Sequence, residues 1–280
     1  MKRKLVALGL MVSLLLVSLC GCSGMSSSDS DLLKDAMTAA NSAKSVTGKM
    51  TMDIGMKMTA AGKSQDINIT ATMNMQAIND PAKAKIDIDM NVLGMAIKGE
   101  TYTVVDGKNM VTYTKMNNKW SKKTAVAPQT NKSQLDASVF LDKSAGFKKK
   151  EAKTENGKDY VVFEGKLTKE MLQQSMDSMN NSGSSVGTSD QSILDDVYKN
   201  MKDIPITIWI DKKEKTLYRA TFSMTEYMKA VMDAAAKKQT AVKITSDVSK
   251  CNVDIIYTGY NNVKDFEVPS EALSAQEALQ

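Results

Sequence analysis

Met50-Thr51-Met52-Asp53-Ile54-Gly55-Met56-Lys57-Met58 alternates apolar and polar side chains without a break. In an extended chain successive side chains point to opposite faces, so a period of two puts Met50, Met52, Ile54, Met56 and Met58 on one face. Val46 extends the set backwards. The same alternation returns in Ile67, Ile69, Ala71, Met73, Met75 and Ala77, and again in Ala84, Ile86, Ile88, Met90 and Val92. Three long amphipathic strands follow from this, each with one apolar face. Gly62-Lys63 and Asn79-Asp80-Pro81 lie between them and are turn chemistry. Short links between consecutive strands make the sheet antiparallel.

Outward from this centre the pattern weakens but continues. Ile97–Val105 and Met110–Thr114 flank Asp106-Gly107, a hairpin signal, and Trp120 closes that series. Leu135, Val139 and Phe140 mark a short helix. Phe147–Lys153 and Asp159–Lys166 flank a second hairpin signal, Glu155-Asn156-Gly157. Helical spacing covers 167–179 and 193–201, on either side of a polar Gly/Ser stretch at 180–189. Ile204, Ile206, Ile208 and Ile210 alternate strictly, with Trp209 on the opposite face. A strand over Thr216–Met224, a helix over Thr225–Ala236, and two strands over Ala241–Val248 and Asn252–Tyr260 complete the chain before an alanine-rich tail. The class is α+β, built on an antiparallel sheet with helices interspersed.

Before the strands, Leu32, Leu33, Ala36, Met37, Ala40 and Ala43 recur at helical spacing, with Ser30 or Asp31 placed to cap the start. Ser23–Ser30 is serine-rich and reads as a flexible tether, giving 22–30 as the linker. Met1-Lys2-Arg3-Lys4 is a basic head and Leu5–Leu19 an apolar run too short to span a bilayer. Residues 1–21 therefore read as a secretory signal. Leu19-Cys20-Gly21-Cys22 resembles a bacterial lipobox, which makes Cys22 the acylated residue and places the chain on the extracytoplasmic face of the cell membrane. Residues 31–280 are then one domain.

Composition narrows the function classes. The chain has 37 Lys+Arg, 32 Asp+Glu and no histidine. Loss of Lys2, Arg3 and Lys4 with the signal takes the formal charge from +5 to about +2, and a nucleic-acid partner loses its electrostatic support. The missing histidine removes the Ser-His-Asp and Cys-His constellations and the commonest general base. Asp87 and Asp89 share the outward face of their strand, and Asp195-Asp196 lies on helical surface; neither pair has the cleft that separates two carboxylate pKa values. No phosphate loop or nucleophile motif is present. The reading is a non-enzyme with no cofactor.

From the lipobox through the N-terminal helix, the amphipathic strands, Ile206-Thr207-Ile208-Trp209-Ile210-Asp211 and the closing Phe266-Glu267-Val268-Pro269, the chain resembles the LolA/LppX/LprG-like lipoproteins, most of all those of Gram-positive bacteria with that fold. The resemblance spans most of 31–270. It implies an incompletely closed antiparallel barrel: a curved sheet, or half-barrel, with helices packed on its concave face over an apolar hollow. It brings no catalytic residues.

The methionine count of 21 bears on that hollow. Met50, Met52, Ile54, Met56, Met58, Ile69, Met73, Met75, Ile86, Ile88 and Met90 form an apolar wall. Methionine is unbranched and polarizable, so such a wall can fit acyl chains of varied shape. The same alternation serves a packed core equally well. A third reading is Cu(I) handling by the Met-x-Met pairs 50/52, 56/58 and 73/75, since thioethers favour that ion; with no histidine and no nearby cysteine, no metal site is assigned. The expected function is a membrane-anchored lipoprotein that binds a lipid or other amphiphile. The alternative is a protein-interaction or sensory lipoprotein with a filled core and an unnamed protein partner.

Overall fold

The computed structural model describes residues 26–127, 137–142, 145–173, 197–198, 201–238 and 244–277. Helix α1 (Ser27–Ser42) opens the described chain. It begins four residues inside the stretch expected to be tether. The reason is local: the Ser26 hydroxyl accepts from the Asp29 backbone N–H at 3.3 Å, and Asp29 accepts from Lys149 Nζ at 2.7 Å. That cap satisfies an orphan donor and stops the helix fraying. Burial works against the Asp29 carboxylate, but the Lys149 and Ser26 hydrogen bonds outweigh it and hold its pKa below the usual value.

Twelve strands form one open antiparallel sheet. β1 (Ser45–Ala60), β2 (Lys63–Asn79), β3 (Ala82–Val92), β4 (Met95–Asp106), β5 (Asn109–Met116) and β6 (Lys119–Val126) run as a meander to one edge. A 3₁₀ turn over Ala137–Leu141 follows. β7 (Lys148–Lys149), β8 (Lys153–Glu155), β9 (Lys158–Leu167), β10 (Ile204–Asp211) and β11 (Leu217–Ser223) make the other half. Helix α2 (Thr225–Lys238) then leads to β12 (Ile244–Tyr260), which pairs with β11 on one side and β1 on the other. The sheet order is β6-β5-β4-β3-β2-β1-β12-β11-β10-β9-β7, with β8 on β9. The two outermost strands never meet, so the curved sheet is a half-barrel.

Two expectations change. The two strands expected at 241–248 and 252–260 are one, β12, with a bulge at Ser249. The β1–β12 register shifts between Gly55 and Met56, leaving Ser249 out of the ladder with its hydroxyl donating to Gly55 O at 3.0 Å. A bulge bends a strand without ending it. Trp120 also does not close the first series: β6 continues through it to Val126.

Helices pack on the inward face. Ala36, Ala40 and Ala43 of α1 and Tyr227 of α2 join Phe163, Ile204, Ile206, Ile208, Ile210, Leu217, Val253 and Ile255 in one core. Leu93, opposing Asn68 across the sheet, lies in the β3–β4 turn beside Gly94, with φ of 53° and 83°. Type I′ turns need two positive φ values and favour Asn at the first. Asn156-Gly157 and Asn117-Asn118 obey this elsewhere in the chain. An exposed leucine there carries a Cβ clash with the backbone. Leu93→Asn should therefore stabilise the fold by about 1 kcal/mol and raise the unfolding midpoint by about 2–4 °C. Thermal circular dichroism of the two proteins checks this, and an unchanged or lower midpoint refutes it.

A second, smaller cluster lies on the outward face. Tyr102, Tyr113 and Ala272 are buried there, with Trp120, Phe266 and Val268 packed against them. The chain after β12, including the short helix α3 (Ser270–Leu273), thus crosses the outside of β3–β6. It also covers the β6 edge: Lys122 N donates to Gln276 O at 3.0 Å and Thr124 N to Glu277 Oε1 at 2.9 Å. Covering an edge strand removes a template for unwanted pairing. No described helix is long and apolar enough to cross a membrane.

Candidate functional site

The apolar wall is a real face of the sheet. Cross-strand partners are Met50 with Met73, Ile54 with Ile69, Met73 with Ile88, and Met75 with Ile86. Opposed residues in a ladder point to the same side, so all eleven wall residues share the inward face. They do not share one environment. Met75 and Ile54 are buried, and Met50, Met52, Met73 and Ile86 pack on the main core. Met56, Met58, Ile69, Ile88 and Met90 lie further along the strands, half-buried and outside that core cluster. The wall therefore starts as core and ends as apolar surface. Cys22 lies outside the described residues.

A hollow among the described residues lies elsewhere. It has a volume of about 740 Å³ and is lined by Thr51, Met52, Asp53, Thr70, Ala71, Thr72, Pro205, Thr207, Thr221, Phe222, Asn252, Val253 and Asp254. Met52 is the single wall residue among them. No helix residue takes part, and most of the lining side chains alternate with the inward Met52, Ala71, Phe222 and Val253. The hollow thus opens on the outward, polar face, across β2, β1, β12, β11 and β10. Its floor is made of short side chains, while longer ones stand in register at its margins: Glu164 opposite Thr207, Arg219 two residues before Thr221, and Lys250 opposite Gly55.

The charges here are paired. Arg219 grips Asp254 with two hydrogen bonds, Nε to Oδ1 at 2.8 Å and Nη2 to Oδ2 at 2.6 Å. That bidentate bond raises the guanidinium pKa further. Arg219 also lies 4.9 Å over the Trp209 ring. Lys250 Nζ donates to Asp53 Oδ2 at 2.7 Å, and Lys150 pairs with Glu164 at 3.1 Å. Alternation marked this face as polar, but sequence reasoning missed the hollow because the residues that line it come from five strands whose register is not local.

Chemistry elsewhere is sparse. Asp87 pairs with Lys85 at 3.3 Å and Asp89 with Lys98 at 3.6 Å, both as ordinary outward ion pairs. Asp195 and Asp196 lie outside the described residues. Burial pushes the Cys251 thiol up, which keeps it protonated, and pushes Tyr160 up to about 12. Among the described residues no group of three or more His, Cys, Asp or Glu could hold a metal ion.

Residues 28–277 match the family of unknown function DUF6612, and the chain belongs to that family. No curated protein matches it significantly. Among solved structures it is similar to the lipoprotein LppX of Mycobacterium tuberculosis, at 13% identity over 85% of this chain and 100% of that one, with a TM-score of 0.43. It is also similar to LprF of Mycobacterium bovis, at 16% identity over 89% of this chain and 100% of that one, with a TM-score of 0.44. A LolA superfamily protein of Nitrosomonas europaea shares 9% identity over 86% of this chain and 95% of its own, with a TM-score of 0.20. At these identities and TM-scores each is a distant likeness and nothing more.

Proposed function

We propose that the protein is a lipoprotein held at the outer surface of the membrane by Cys22, which binds a lipid or another amphiphile on the inward face of its half-barrel. The observation that carries this is the continuation of the apolar wall past the packed core. Met56, Met58, Ile69, Ile88 and Met90 hold apolar surface on the same face as buried Ile54 and Met75. Apolar area kept from full burial forgoes about 25 cal/mol per Å², and an acyl chain laid along it recovers that term. Methionine adds adaptability, so chains of different shape fit one wall. The protein acts by holding its ligand, to carry, present or sense it, and not by chemistry.

Native mass spectrometry of the full chain purified from membranes tests this. A co-purified lipid of defined mass is expected. Its absence across several preparations would overturn the reading in favour of an interaction lipoprotein with a filled interior.

A further inference from the structure

The outward hollow holds an ordered row of hydrogen-bonding groups. Thr72 pairs with Thr51, Thr51 with Asp254, Asp254 with Thr221, and Thr221 with Thr207. These five residues therefore lie side by side on five adjacent strands, in a line perpendicular to them. At 4.7–4.9 Å per strand the row is about 19 Å long. A second row runs beside it, two residues along: Thr70, Asp53, Asn252 and Ser223. Threonine suits exposed strands, which accounts for each residue singly. It does not account for a hollow of about 740 Å³ lined by every member of the two rows but Ser223.

The chemistry of the floor selects a ligand class. Among the described residues none of the hydroxyls of Thr51, Thr70, Thr72, Thr207 and Thr221 has a hydrogen-bond partner. Each can both donate and accept. Asp254 and Asp53 are already matched by Arg219 and Lys250, so the hollow offers little net charge to a phosphate or a cation. The two ion pairs still leave oriented donors and acceptors at fixed positions. Threonine γ-methyls and Pro205 supply small apolar patches between them. A ligand that matches this is long, neutral, dense in hydroxyls and apolar on its ring faces. We infer that the outward groove binds a linear neutral saccharide laid across the strands. This site is on the opposite face of the sheet from the amphiphile wall and stands or falls independently of it.

The test uses the full chain in a sugar-free zwitterionic detergent, titrated calorimetrically with cellohexaose and chitohexaose. Saturable binding of at least one hexaose is expected. The Thr51→Val/Thr221→Val double variant removes two hydroxyls while keeping shape and strand propensity, and should bind at least tenfold more weakly with an unchanged unfolding temperature. Thr207→Lys, which projects a long chain into the groove, should show the same loss, and does so by a route that spares the other hydroxyls. Co-sedimentation with purified peptidoglycan separates the two sources of such a ligand. Pelleting that the hexaose competes away assigns the cell-wall glycan, and hexaose binding without pelleting assigns a free saccharide. Failure of both hexaoses to bind, or undiminished binding by the double variant and Thr207→Lys, overturns the site.

Discussion

Cys22→Ala is expected to remove the protein from the membrane entirely, or to leave it there only as an unprocessed precursor. No described helix is long and apolar enough to cross a bilayer, and the proposed function places the whole of the attachment on the lipid of Cys22. Each buried methylene of an acyl chain contributes about 0.8 kcal/mol to membrane binding, and stable attachment needs more than one chain. Loss of the acylated residue removes all of those contributions at once. Cell fractionation after labelling with an alkyne fatty acid reads both effects: the label should vanish from the variant and the processed form should leave the membrane fraction. A variant that stays labelled would move the lipid to another residue and with it the boundary of the mature chain.

The second large effect separates core from wall. Ile208 is fully buried at 0% exposure, between Phe163 of β9 and Ala220 of β11. Ile208→Ala should cost about 2–5 kcal/mol, since neighbours in a close-packed core relax only partly into the cavity. Met90 sits on the same inward side but beyond the packed cluster, half-buried beside Ala71 and Ile97. Met90→Ala should cost well under half as much, because part of its surface already lacks protein contacts. Met90→Asn should leave the fold largely intact yet reduce uptake of a fluorescent fatty-acid analogue, because an unpaired amide would face the acyl chain. Denaturant unfolding and analogue titration of the three variants check this together. Equal stability losses for Ile208→Ala and Met90→Ala, with no analogue binding by the natural chain, would make the whole inward face a closed core.

The alternation of Met50 to Met58 and its echoes in β2 and β3 determined the strands, their antiparallel pairing and their apolar face. Side-chain period is a local property, and no tertiary contact was needed to read it. The four isoleucines of β10 announced the deepest part of the core in the same way. The helical spacing of Leu32 to Ala43 identified α1 but not its start, where Asp29 in the first turn pairs with Lys149, more than a hundred residues away. Ser249 shows a similar limit: it falls in the gap between two expected strands, and only the partner strand shows that it is a bulge within one.

What the tertiary structure alone decided is where each face ends and what each face meets. The wall residues look alike in sequence, yet Met75 is buried in the core and Met90 is half-buried outside it. The outward hollow depends even more on assembly. Thr207 and Thr72 are 135 positions apart, and only the pairing of β12 with both β1 and β11 brings them into one row. Alternation tells a strand which side is polar. Register across five strands, fixed by packing on the other face, decides which polar groups become neighbours.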